Sequence, residues 1–203
     1  ALQEGLAGLS RIFSLIDEKP AVQDHPQALA LPPGHGHLRF DTVAFQYADG
    51  RMGLNDLSFE AQPGMTVALV GPSGAGKSTA LSLIPRLHDV THGAITLDGV
   101  DLRYVGLEHL RNAIAYVSQD PLLFDVSVRE NILMGRPGST DAEVREAARL
   151  AAAEPFITAL PDGFDTIVGP GGGRLSGGQR QPVSLARALL RDARPPLLDE
   201  ATR

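Results

Sequence analysis

The chain has 203 residues, no cysteine and a formal net charge of −6, a size that fits one domain with an inserted subdomain. Without thiols it can build neither a disulfide framework nor a zinc-thiolate site, and its ordinary apolar and charged fractions exclude the disordered and fibrous classes. The acidic balance argues against a broad nucleic-acid surface, which needs clustered Lys and Arg.

At the N-terminus, Leu2, Leu6, Leu9, Ile12, Phe13 and Ile16 recur at helical spacing, so residues 2–17 read as an amphipathic helix that Pro20 ends. Glu4 falls where a secretory signal would be basic, and no run nears the roughly 18–20 apolar residues of a membrane span. The segment therefore reads as soluble, with any membrane link made through a partner or through chain outside it. Pro26, Pro32, Pro33, Gly34 and Gly36 mark 20–37 as a linker. Its His35 and His37 lack a nearby third ligand and read as part of a solvated loop.

From Leu38 the period becomes two. Phe40, Val43, Phe45 and Tyr47 alternate with polar residues, Asp49-Gly50 is a turn, and Leu57-Ser58-Phe59 resumes extended structure, which predicts an antiparallel layer. Met65–Val70 is a short apolar run with flanking glycines and reads as a buried parallel strand. A helix from Lys77 to about Leu87 follows, then strands at Ile95–Leu97 and Ile114–Val117, with a turn at Asp98-Gly99. Between Asp120 and Ser176 the pattern is helical, with Thr140 and Glu143 spaced as a capping box and Val144, Ala147, Ala148 and Ala151 as an apolar stripe. A last helix spans Gly177 to about Leu190.

Between the apolar run and its helix, Gly71-Pro72-Ser73-Gly74-Ala75-Gly76-Lys77-Ser78 matches G-x-x-x-x-G-K-[ST] at every fixed position. The glycines let backbone N–H groups face phosphate oxygens, and the helix N-terminus adds further donors and partial positive charge. Lys77 brings a mobile charge for β and γ phosphates, Ser78 a hard oxygen suited to magnesium, and Thr79 a backbone contact for the α phosphate. ATP and Mg2+ are the cofactors this loop predicts.

Leu175-Ser176-Gly177-Gly178-Gln179, followed by Arg180-Gln181, resembles the signature of the ABC-type ATPases. The resemblance extends along the whole chain and implies an α/β fold: a phosphate-loop core with a parallel sheet and flanking helices, an antiparallel β layer and an inserted helical subdomain. It divides the chain into a joining helix at 1–19, a linker at 20–37, an ATP-binding core at 38–118 and 188–203, and a helical subdomain at 119–187. Gln119 in YVSQDPLLF resembles the family's Q-loop, Leu198-Asp199-Glu200-Ala201-Thr202 the end of its Walker B segment, and Tyr47 its adenine-stacking aromatic. RIFSLIDEKP resembles the joint between an exporter's last membrane helix and its ATPase domain.

By that resemblance Asp199 holds the magnesium shell, Gln119 touches metal and attacking water, and Glu200 acts as general base or orients the water. Ser176, Gly177, Gly178 and Gln179 bind the γ phosphate of ATP held by a second ATP-binding domain in a head-to-tail dimer. The implied function is ATP hydrolysis driving export across a membrane, on the cytoplasmic face of the inner or plasma membrane, through a transmembrane domain fused N-terminally in a longer parent. A non-catalytic nucleotide-binding remnant and an ABC-type DNA-repair ATPase are the competing readings. No nucleic-acid partner is expected. Pro182 replaces a basic residue within the signature helix, and Pro195 and Pro196 replace apolar residues before Asp199. The family continues past the point matching Arg203 with a contact loop, a core strand beside the phosphate-loop strand and a switch histidine, so the chain reads as a piece of a longer protein.

Overall fold

The computed structural model describes residues 2–193 and 195–199, and of residues 2–8 the backbone only. Helix α1 spans Leu2–Ile16. Strands β1 (Leu38–Gln46) and β2 (Met52–Ala61) form a hairpin through the predicted Asp49-Gly50 turn. Strand β3 (His92–Leu97) pairs with the other edge of β1, and the two-residue β4 (Val100–Asp101) follows across Asp98-Gly99. Both of those turn residues have positive φ, which a tight hairpin of this hand demands. The antiparallel layer thus runs β2-β1-β3-β4. One face of it, with Phe40, Val43, Phe45, Leu54, Ile95 and Leu97, is buried against helix α2 (Lys77–Leu83) and Leu102, Val105 and Leu110.

Helix α2 is shorter than its sequence pattern suggests. Arg86 takes a left-handed conformation (φ 49°), its N–H bonds to Leu83 O, and Leu87 N–H reaches back to Ser82 O. That is a Schellman closure, and Pro85 just before it has no N–H with which to extend the helix.

Helix α3 (Leu107–Ala113) leads into β5 (Ala115–Val117), which pairs in parallel with β6 (Pro196–Leu198). The expected strand at Met65–Val70 is not found: the segment joins no ladder among the described residues, and Val70 is 92% exposed. The reason is physical. A continuous apolar run is stable as a strand only where neighbours take its N–H and C=O groups and cover both faces, and β6 pairs with β5 rather than with it.

Helices α4 (Val128–Leu133), α5 (Asp141–Leu150), α6 (Glu154–Thr158) and α7 (Gly177–Arg191) enclose a second core. Leu123, Ile132, Val144, Ala148, Ile157, Phe164, Val183 and Ala186 are buried there. Capping boxes start α5 at Thr140/Glu143, as expected, and α4 at Ser127/Glu130, which sequence reading missed. Backbone N–H and then hydroxyl hydrogen bonds from Ser127 and Thr140 hold the Glu130 and Glu143 carboxyls below the ordinary glutamate range. A depressed folded-state pKa adds stability that is complete above the unfolded value and is lost as pH falls through the folded one. Acidification past the ordinary glutamate range is therefore expected to speed amide exchange in the first turns of α4 and α5, after correction for intrinsic rates. Glu143→Gln should remove that pH dependence from α5 alone.

Residues 20–37, expected as a solvated linker, are instead strapped along the first core. Asp24 Oδ1 accepts the Leu107 N–H at 2.7 Å, capping α3. Leu29 N–H bonds to Tyr104 O, and its carbonyl accepts from Gly106. The Asp98 carboxylate accepts the backbone N–H groups of His35, Gly36 and His37 at 3.0–3.2 Å. The buried Arg86 guanidinium pairs with Asp89 and also donates to Gln23 O at 3.2 Å, which joins the strap to the end of α2. No helix among the described residues is long and apolar enough to cross a membrane.

Candidate nucleotide site

The loop from Gly71 ends at Gly76, which precedes α2 at φ 87°. A Cβ there would lie 2.3 Å from Gly53 O and 2.7 Å from Leu54 Cδ2, so only glycine lets the loop press against β2. Lys77 Nζ donates to Gly71 O (2.8 Å) and Pro72 O (2.9 Å), which sets the ammonium at the loop's mouth. Ala75 N–H bonds back to Pro72 O. The N-terminal amides of α2, the ammonium and the glycine backbone thus converge on one spot, an arrangement that suits phosphate oxygens.

Beside the loop lies an open cleft of about 610 Å3, lined by Tyr47, Arg51, Met52, Gly53, Ser73, Gly74, Gly76, Lys77, Ser78, Thr79 and Gln119. Tyr47 shares a 2.8 Å hydrogen bond between its hydroxyl and Thr79 Oγ1. Its ring meets Phe45 edge-on at 4.8 Å, with the Arg51 guanidinium 5.3 Å from the ring centroid. A flat aromatic held beside a phosphate loop offers the two kinds of contact, stacking and anion binding, that a nucleotide takes. Arg51, Met52 and Gly53 were not foreseen. Tyr47 N–H bonds to Arg51 O across the hairpin, so the turn brings Arg51 over the ring, a relation that alternation along a single strand does not reveal. Gly53 allows the close approach, since a Cβ there would sit 2.8–3.0 Å from Phe45, Tyr47 and Thr79.

Ser78 Oγ donates to Asp199 Oδ1 at 3.0 Å. Asp199 is buried, and its N–H bonds to Val117 O at the end of the β5–β6 ladder. Pro196 does not prevent this, because it is the first residue of β6, where the missing donor is tolerated. The Tyr116 hydroxyl faces Asp199 Oδ2 at 3.5 Å. Burial, and then the Asp199 charge, push its pKa above the usual tyrosine value. Two hard oxygen donors side by side next to the phosphate loop are the donor set that magnesium takes.

The signature segment lies apart from this cleft. Ser176 precedes α7, its N–H donates to Gln179 Oε1 at 2.9 Å, and Ser176, Gly177 and Gly178 are exposed. Pro182 leaves α7 continuous from Gly177 to Arg191. Glu200 lies outside the described residues. The site therefore gathers Tyr47, the Gly71–Thr79 loop, Gln119 and Asp199, while Ser176–Gln179 present a separate, outward-facing helix start.

A phosphate loop entering a short helix, an antiparallel layer carrying the ring, and an inserted helical unit with an exposed glycine-rich helix start define a nucleotide-binding domain of the α/β class. The ABC transporter family model matches residues 54–203, and the chain belongs to that family. It is 46% identical over 201 residues to an ATP-dependent lipid A-core flippase of Desulfotalea psychrophila, covering 99% of this chain and 35% of that protein. A Beta-(1→2)glucan export ATP-binding/permease protein of Bradyrhizobium diazoefficiens is 48% identical over 194 residues, covering 96% and 32%. The structure of a bacterial Atm1-family ABC exporter with ATP bound superposes with a TM-score of 0.93 at 44% identity, covering 98% of this chain and 35% of that one. The chain spans about a third of the length of these relatives.

Proposed function

We propose that this chain is the ATP-binding and ATP-hydrolysing module of a membrane exporter, working at the cytoplasmic face in a head-to-tail pair with a second such module. A longer parent would carry the transmembrane domain N-terminal to α1. The observation that carries the reading is the cleft in which Tyr47, Lys77, Ser78, Thr79 and Gln119 meet, with Asp199 3.0 Å from Ser78. Relatives that are a flippase and a glucan export protein favour transport over a DNA-repair role.

In this reading the Tyr47 ring stacks on the base, and the loop amides and Lys77 hold the β and γ phosphates. Ser78, Asp199 and Gln119 supply oxygens for magnesium, which when bound neutralises developing phosphate charge. Glu200 takes or orients the proton of the attacking water. Ser176, Gly177 and Gly178 face the γ phosphate of the opposite module, so two sites complete each other only in the dimer. The proposed domains are 38–118 with 188–203, and 119–187, preceded by the joining helix and strap; two separate buried cores support the division, although Leu190 packs in the second.

Single-turnover assays with Mg·ATP on the chain fused to its membrane segment test this reading. Glu200→Gln should bind ATP as the wild type does and lose about 100- to 10,000-fold in turnover, the range for a general base. Turnover unchanged in that variant would remove Glu200 from the mechanism.

A further inference from the structure

Gln119 lines the nucleotide cleft, yet the segment it begins is held by the second core. The clasp is one arginine on α7, the helix that the signature segment opens. Arg187 Nε donates to Asn131 O at 2.8 Å, Nη2 to Asn131 Oδ1 at 2.8 Å, and Nη1 to Leu122 O at 3.4 Å. Asn131 is fully buried and grips the same segment twice more: its Nδ2 donates to Phe124 O (3.0 Å) and its Oδ1 accepts the Phe124 N–H (2.9 Å). Burial pushes the Arg187 pKa down from its usual value. This cation faces carbonyls and an amide rather than a carboxylate, and lies 5.9 Å from the centroid of the Phe124 ring, so its place rests on hydrogen bonds and that ring contact. The turn after α4 also approaches α7 closely, which glycine permits, because a Cβ on Gly135 would lie 2.1 Å from Arg187 O.

We propose that Arg187, acting through Asn131, is a positioning residue that ties the Gln119 segment to the signature helix, so that nucleotide contact at either is felt at the other. The proposal rests on the reading of the cleft as an ATP site. A single lysine ammonium cannot reproduce the three-point fork. Asn131→Asp keeps the acceptor for Arg187 and the Phe124 N–H, and sets a carboxylate oxygen against the Phe124 and Ser127 carbonyls where the amide donated. Both variants should therefore free the segment while leaving the phosphate loop intact.

Hydrogen-exchange mass spectrometry with and without Mg·ATP tests this on the full chain, in wild type, Arg187→Lys and Asn131→Asp. In the wild type Mg·ATP should slow exchange roughly tenfold in both 71–80 and 118–124. In either variant the slowing at 71–80 should remain, with ATP affinity within about threefold of wild type, and that at 118–124 should disappear. Retained slowing at 118–124 in either variant would overturn the proposal. So would faster exchange in α5 by the same factor as in 118–124, which would mark general loosening of the helical core. No slowing at 71–80 in the wild type would instead overturn the ATP-site reading beneath it.

Discussion

Lys77→Ala should abolish most of the thermal stabilisation that Mg·ATP gives the wild-type chain. The ammonium sits on the Gly71 and Pro72 carbonyls at the loop mouth, where the proposed site would hold the phosphates. Hydrogen bonds to charged groups contribute about 1.5–3 kcal/mol each. With ATP at one hundred times the wild-type Kd, the ligand adds about 2.7 kcal/mol of stability to the wild type. A loss of about 2–3 kcal/mol of affinity leaves the variant with less than about 1 kcal/mol of that gain. Without nucleotide the two proteins should melt within a few degrees of each other, because the Lys77 ammonium bonds only to carbonyls of an exposed loop. Differential scanning calorimetry reads both quantities, and an equal ATP-induced rise in Tm for the two proteins would contradict the role.

Gly76→Ala should be the most damaging single methyl addition in the site. Gly76 and Gly50 share nearly the same backbone, φ 87° and 86°, but a Cβ on Gly50 meets nothing within 4 Å, while one on Gly76 strikes the Gly53 carbonyl. Gly50→Ala is thus a control for the left-handed conformation, at about 1–2 kcal/mol. Gly76→Ala adds overpacking against backbone, for a total of about 2–5 kcal/mol. It should also lose ATP binding, since relief of the contact must shift either the loop or β2 beneath Tyr47. Urea unfolding midpoints for the pair, with equal losses, would show that the close approach costs nothing.

Most of this architecture was legible where local chemistry decides it. Alternation gave the hairpin around Asp49-Gly50 and the strand at Ile95–Leu97, capping chemistry gave α5, and the phosphate loop was evident from its own residue types. The Ser127/Glu130 box and Arg51 were missed although their partners are local; the other misses depended on residues far away in the chain. Met65–Val70 carries strand chemistry but needs neighbours on both sides, and among the described residues it has none. The strap at 20–37 has a linker's composition, yet Asp98 and Arg86 bind its backbone from 61 to 63 residues away, and its own Asp24 accepts the Leu107 N–H from 83 residues on. Arg51 entered the site across a hairpin, and Arg187 and Asn131 meet over 56 residues. The prolines at 182 and 196 looked disruptive in sequence. In the structure α7 continues through the first, and β6 begins at the second.

Titration of the wild-type chain with ATP in a calorimeter, with and without magnesium, tests the central claim most directly. One ATP should bind per chain, and magnesium should strengthen binding because Ser78 and Asp199 offer it adjacent oxygens. Absence of binding heat across several temperatures, or binding indifferent to magnesium and to Lys77→Ala, would contradict the assignment of the cleft.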